Sequence, residues 1–191
     1  MSHPALVESD AAFGDAVAAA LGPAAFARWL VPDGLIRRIV VTVDNLPRRS
    51  LPARMRAVPP VPGTFEVVRA GTATVVAEAN AARYEPLVGL LEALDAQRLL
   101  YVYVDWYPRF QEAYRELGYP QGHFNDRLVE AIDTLLATPA WREPLAVTQP
   151  KVLWEFADPD LEALPAGQKL MLRMGPAHAE RVKARLLTVR R

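Results

Sequence analysis

Apolar residues recur along most of this chain at three- and four-residue spacing, interrupted by short alternating stretches. The alanine-rich run Asp10 to Leu21 is preceded by Ser9, an expected N-cap, and Asp10 suits the positive end of the helix dipole. Gly22-Pro23 stops that helix, and Pro23 starts the next, through Phe26, Trp29 and Leu30. Pro32-Asp33-Gly34 reads as a turn. Leu35 to Leu46 carries two signals. Its β-branched residues favour a strand, whereas Ile36, Ile39/Val40 and Val43 keep helical spacing, and the spacing predicts a helix.

Five prolines between positions 47 and 63 make that stretch an extended connector, which carries Arg48, Arg49, Arg54 and Arg56. Phe65–Arg69 and Thr72–Glu78 read as a hairpin about Ala70-Gly71. Asn80 is the expected cap of the helical stretch containing Leu87, Val88, Leu90, Leu91 and Leu94, with Pro86 either kinking it or opening a second segment. From Gln97 to Leu117 the helical period is strong, and Pro108 predicts a kink or break within it. Gly118 to Gly122 is a loop. Asn125 is the expected cap of the next helix, which turns Leu128, Ile132, Leu135 and Leu136 inward, with Phe124 and Val129 spaced as a hydrophobic staple. Leu145–Thr148 and Lys151–Phe156 are short strand candidates. Asp158-Pro159 starts a helix, Gly175 closes the one running from Ala166, and Pro176 opens the last.

The pattern predicts an α+β fold: a mainly helical single domain over 9–191, with a small β-hairpin and room for a second short strand pair. Residues 1–8 read as a disordered N-terminus or a tag remnant. At 191 residues, 51% of them hydrophobic, the chain can bury a core without a metal or disulfide. Its 22 basic and 22 acidic residues cancel, so no global field draws in nucleic acid or an anionic membrane. The charge is nonetheless uneven. From Pro165 onward Lys169, Arg173, Arg181, Lys183, Arg185, Arg190 and Arg191 stand against Glu180, which marks either a partner surface or the solvated face of a last helix. The chain has no cysteine, which excludes disulfides, thiolate metal sites and a cysteine nucleophile. No apolar run is long enough to span a membrane, and no signal peptide is visible at the start.

Motifs for chemistry are few. The sequence has no glycine-rich nucleotide loop and no GxSxG elbow, and His3, His123 and His178 lack metal-ligand spacing. No cofactor or metal is predicted. Asp105, Glu112, Asp126, Glu130 and Asp133 are candidate acid–base groups, but helix-dipole and ion-pair roles with Arg109, Arg115 or Arg127 explain them as well. The aromatic stretch from Tyr101 to Phe124 is the most distinctive feature, with five of the six tyrosines within 19 residues. Buried tyrosine hydroxyls need partners, so Tyr103, Tyr107, Gln111, Tyr114, Tyr119, Asn125 and Arg127 form the candidate ligand-binding set, or a polar-laced core.

The chain resembles the DUF3014 family of bacterial proteins of unknown function. The resemblance rests on Leu35-Ile36-Arg37-Arg38 through Val43-Asp44-Asn45-Leu46-Pro47-Arg48-Arg49, then Tyr107-Pro108, Gln111 and Tyr114, Leu117-Gly118-Tyr119-Pro120 and Phe124-Asn125-Asp126-Arg127. It continues through Gln149-Pro150-Lys151, Phe156-Ala157-Asp158-Pro159-Asp160-Leu161-Glu162 and Gly167-Gln168-Lys169, and so covers about Ser9 to Arg185. The resemblance implies no activity. It implies that relatives carry an N-terminal membrane anchor and a proline-rich linker, which would set the domain on the periplasmic side of the inner membrane, a cytoplasmic setting remaining open. The preferred reading is a non-enzymatic ligand- or protein-binding or scaffold module of the cell envelope, with an envelope protein or a cell-wall-related ligand as partner. The alternatives are a carboxylate-dependent hydrolase and nucleic-acid binding through the basic C-terminal helices. The hydrolase requires paired carboxylates in an open pocket, and the nucleic-acid reading requires Arg181, Lys183 and Arg185 on one positive face.

Overall fold

The computed structural model describes residues 3–190. It is mainly helical, with two small antiparallel strand pairs, as the spacing predicts. The helices are α1 (Asp10–Leu21), α2 (Pro23–Trp29), α3 (Leu35–Asn45), α4 (Ala79–Ala82), α5 (Glu85–Ala93), α6 (Ala96–Glu116), α7 (Phe124–Leu136), α8 (Pro159–Ala163), α9 (Ala166–Met174) and α10 (Pro176–Arg190). The strands are β1 (Val67–Ala70), β2 (Ala73–Val76), β3 (Val147–Thr148) and β4 (Glu155–Phe156). By its contacts the chain divides into two compact units. The first holds the residues up to Asn45, Leu51–Pro60 and Ala93–Ala131; the second holds Leu46–Ser50, Val61–Glu92 and everything from Ile132 onward.

In the first unit α1, α3 and α6 pack against one another, and α2 folds back on α1. The segment Leu35–Asn45 is a helix because its apolar stripe keeps helical period: Leu35, Ile36, Val40 and Val43 are all buried. The core is aromatic. Phe110 and Phe124 stack with centroids 5.4 Å apart, and Phe13 meets Trp106 at 5.2 Å. Helix α6 runs unbroken through Pro108, so of the kink or break expected there the break does not occur. Proline removes only its own donor, and Trp106, Phe110 and Tyr114 are buried on both sides of it.

One expected cap turns out otherwise: the Ser9 hydroxyl donates back to Leu6 O at 2.8 Å instead of capping α1. Asp10 stands in the first turn of α1 as expected, and its carboxylate also accepts from Gly34 N at 2.8 Å and Leu35 N at 3.1 Å, and so caps α3. Within the stretch expected to be a disordered tail, Leu6–Glu8 form a short 3-10 turn with Leu6 buried. Met1 and Ser2 lie outside the described residues.

In the second unit β1 pairs β2 from Val67↔Val76 to Ala70↔Ala73, and β3 pairs β4. The pairs are joined edge to edge, with Val76 N donating to Leu145 O at 2.9 Å. Leu145, Val147, Phe156 and Leu172 form one apolar cluster; Tyr84, Val88, Met171, Met174, Ala179 and Val182 form another. Asn80 does not cap a helix. It is buried, donates to Glu66 O and Ala77 O, and accepts from Glu66 N, tying the strand entry to α4. Asp158 caps α8 as expected, accepting from Asp160 N at 2.9 Å.

Candidate functional site

The seven residues singled out from the sequence lie on α6, on α7 and in the loop between them, all within the first unit. Most are tied to each other. Gln111 is buried and stands at the centre: its Oε1 accepts from the Tyr107 hydroxyl at 3.1 Å and from Phe124 N at 2.9 Å, while its Nε2 donates to Gly122 O at 2.8 Å. Gln111, not Asn125, therefore satisfies the first N–H of α7. Asn125 is exposed, and its Oδ1 accepts from the Tyr103 hydroxyl at 3.2 Å.

Tyr114 and Tyr119 stack at 4.6 Å. Gly122 is required beneath them, because a Cβ there would stand 3.0 Å from Tyr114 Cε1. Burial first, and then the Asp44 carboxylate, push the Tyr114 hydroxyl above its ordinary range. Arg127 reaches Asp44 Oδ1 at 3.0 Å and Glu130 Oε2 at 2.6 Å, and also donates to the Asp44 carbonyl. Asp44 is only 3% exposed, and the pair pins the end of α3 to α7. The sequence reading passed over Asp44, although it lies inside one of the quoted motifs. A lone aspartate at the end of an apolar helix carries no local sign of a distant arginine.

A second feature in this unit was not visible from the sequence. An apolar pocket of about 250 Å³ opens between α1, α3 and α6. Phe13, Val17 and Phe110 form its floor and are buried. Half-buried apolar residues, among them Leu30, Ile39 and Leu99, form its rim. Of the seven candidates Tyr103 alone lines it, and burial followed by the neighbouring Tyr107 pushes the Tyr103 hydroxyl up. The lining residues were legible only as a helical apolar stripe, a pattern shared by a closed core and an open pocket.

Several charged groups of the second unit are tied within that unit. Arg181 on α10 reaches Glu85 and Glu92 on α5, both at 2.7 Å. The guanidinium bond to Glu85, and then that of His178, hold the Glu85 carboxyl down at about 2. His178 is buried, with Nδ1 2.9 Å from Met174 O and Nε2 2.7 Å from Glu85 Oε2. Lys183 donates to Thr138 O, Arg185 to Leu91 O, and Arg190 pairs with Asp133 at 2.8 Å. His123 and Asp126 are exposed. Among the described residues no group of three or more His, Asp or Glu side chains is placed to hold a metal ion, and no helix is long and apolar enough to cross a membrane.

Residues 35–190 match the model of a family described as a protein of unknown function, DUF3014. No curated protein and no solved structure matches the chain.

Proposed function

The chain belongs to that family, and we propose that it is a non-enzymatic binding module of the cell envelope, whose first unit takes the hydrocarbon part of a ligand into the pocket between α1, α3 and α6. The pocket carries this reading. A dry cavity of roughly 150 Å³ lined by aliphatic and aromatic groups binds benzene, and this one offers about 250 Å³. Its walls are carbon apart from Tyr103, so it rewards apolar area and rejects charge. A short acyl or isoprenoid chain has the matching chemistry, and a lipid-linked envelope compound would present one. The polar residues of α6 and α7 then hold the wall rigid and do not read a head group, because their hydrogen bonds are internal. The envelope setting rests on the resemblance to anchored relatives.

The two alternatives find less support. Among the described residues no carboxylate lines the pocket, which leaves a hydrolase without paired acids where a substrate would sit. Arg181 pairs with Glu85 and Glu92 and Lys183 with Glu180, so two of the three charges are already met by acids within their own unit.

Calorimetric titration with straight-chain alcohols of increasing length tests the proposal. Binding is expected to saturate and to strengthen by roughly 0.8 kcal/mol per buried methylene until the pocket is full, with a negative heat-capacity change. Leu99→Trp, at the rim, is expected to block binding while the circular dichroism stays unchanged. Chain-length-independent or non-saturating heats would sink the reading.

A further inference from the structure

Helix α6 turns one face to the pocket, through Leu99, Val102, Tyr103 and Phe110. Its opposite face is apolar as well. Leu100, Tyr101 and Val104 are 49%, 67% and 60% exposed, and the exposed Pro108 continues the line one turn on. On a 3.6-residue period Tyr101, Val104 and Pro108 share one stripe, with Leu100 beside it and the polar Gln97 at its N-terminal end. A helix that is apolar on two opposite faces ordinarily has both covered, and contiguous exposed apolar side chains mark contact surfaces.

The charges beside this stripe indicate what covers it. Arg98 and Asp105 stand seven residues apart, hence on the same flank, and their side chains are 68% and 64% exposed. They are equidistant from the midpoint of Tyr101 and Val102. When two such helices meet antiparallel about a two-fold axis through that midpoint, Arg98 of each lies against Asp105 of the other. An unrelated partner would not require an acid and a base placed symmetrically about the apolar centre. An isologous contact does require it, because one patch must complement itself.

We propose that the outer face of α6 is a self-complementary docking surface for a second copy of this chain, with Tyr101 and Val104 at its centre and an Arg98–Asp105 pair at each end. In the single chain Arg98 lies 3.4 Å from Asp95, and Asp105 lies 3.0 Å from His3. The Arg98–Asp95 contact is exposed and exchanges readily, and Asp105, 64% exposed although the His3 ring beside it is mostly covered, has room for a second donor. One helix face is small beside the roughly 1,200–2,000 Å² of a stable interface, so the dimer is weak and dissociates on dilution. The surface is independent of the pocket, which lies on the other side of the helix.

Sedimentation equilibrium over a range of protein concentrations tests this on the full chain. The mass is expected to rise from monomer toward dimer. Val104→Glu is expected to hold it at monomer at every concentration, with the far-ultraviolet circular dichroism unchanged. Arg98→Asp sets carboxylates against each other and is expected to weaken association about tenfold or more. The double exchange Arg98→Asp with Asp105→Arg is expected to restore wild-type association, which only a self-complementary contact predicts. A wild-type chain that stays monomeric throughout overturns the proposal. So does a dimer indifferent to Val104→Glu, or a double exchange that fails to restore it. The double exchange leaves the apolar centre intact, so the test stands even if Val104→Glu perturbs the fold.

Discussion

The two compact units differ in their aromatic content. Among the described residues the ring–ring contacts lie in the first, with Phe110 on Phe124 and Phe13 against Trp106, beside ion pairs such as Arg37 with Glu116 and Arg127 with Asp44. The second closes its helices with ion pairs: Arg181 between Glu85 and Glu92, Arg190 on Asp133, and Lys169 on Glu162. Rings are rigid and do not fill every angle between three crossing helices, so a unit built from them can keep an apolar opening. Flexible charged side chains at a helix margin adjust to each other and neutralise the surface they share. In the basic C-terminal run Arg181 and Arg190 are met by acids on α5 and α7, and Lys169 by Glu162 on α8.

Three experiments would break or sharpen that contrast. The largest effect is expected from Asp44→Ala, in the ring-rich first unit. It leaves the largely buried Arg127 without its main counter-charge, at a cost of about 3 kcal/mol in urea unfolding. A loss as small as that of an exposed ion pair would mean that Glu130 and water serve Arg127 equally well. Gly167→Ala comes next, in the second unit. Its new methyl would stand 2.8 Å from Leu135 Cδ2 and 3.2 Å from the Leu46 carbonyl. Overpacking of that kind costs about 1–3 kcal/mol, read as a lower melting temperature; a neutral result would show that the second unit yields where the first does not.

The smallest effect concerns acid. Glu85 is held at about 2 against an ordinary 4.5, and Arg181 likewise lowers Glu92. A depressed carboxyl stabilises the folded state fully above its unfolded value and loses that contribution as pH falls through its folded one. Stability is therefore expected to decline from about pH 4.5 toward pH 2. In Arg181→Gln that decline should be shallower, measured as denaturation midpoints at a series of pH values. A variant with the same acid slope as the wild type would remove the clamp from the account.

Local punctuation was legible in the sequence wherever signal and element are neighbours. Pro23, Gly175, Pro176 and the Asp158 cap all work within one turn of the helix they mark, and the structure places their helices as expected. Caps supplied from elsewhere were not legible. Asp10 serves α3 from 24 residues away, and Gln111 serves α7 from 13. The local candidates also turned elsewhere: Ser9, expected for α1, donates to Leu6 O, and Asn125, expected for α7, accepts from the Tyr103 hydroxyl. In the aromatic stretch the network around Gln111 ties Tyr107 and Gln111 to the loop and to the start of α7. The pocket beside it escaped notice because its lining comes from α1, the segment after α2, α3, the segment before α6, and α6 itself.

The sequence by itself determined most of the helices and the first strand pair, and left room for the second, because the spacing of apolar side chains and the limits of proline and glycine act within a few residues. It determined that the charges balance, and through its motifs the family. Only the tertiary structure decided which charges meet, which face of α6 lines a pocket and which stays bare. Those outcomes depend on partners tens of residues away. Periodicity reports that a face is apolar, whereas what covers that face is set by the packing of other helices.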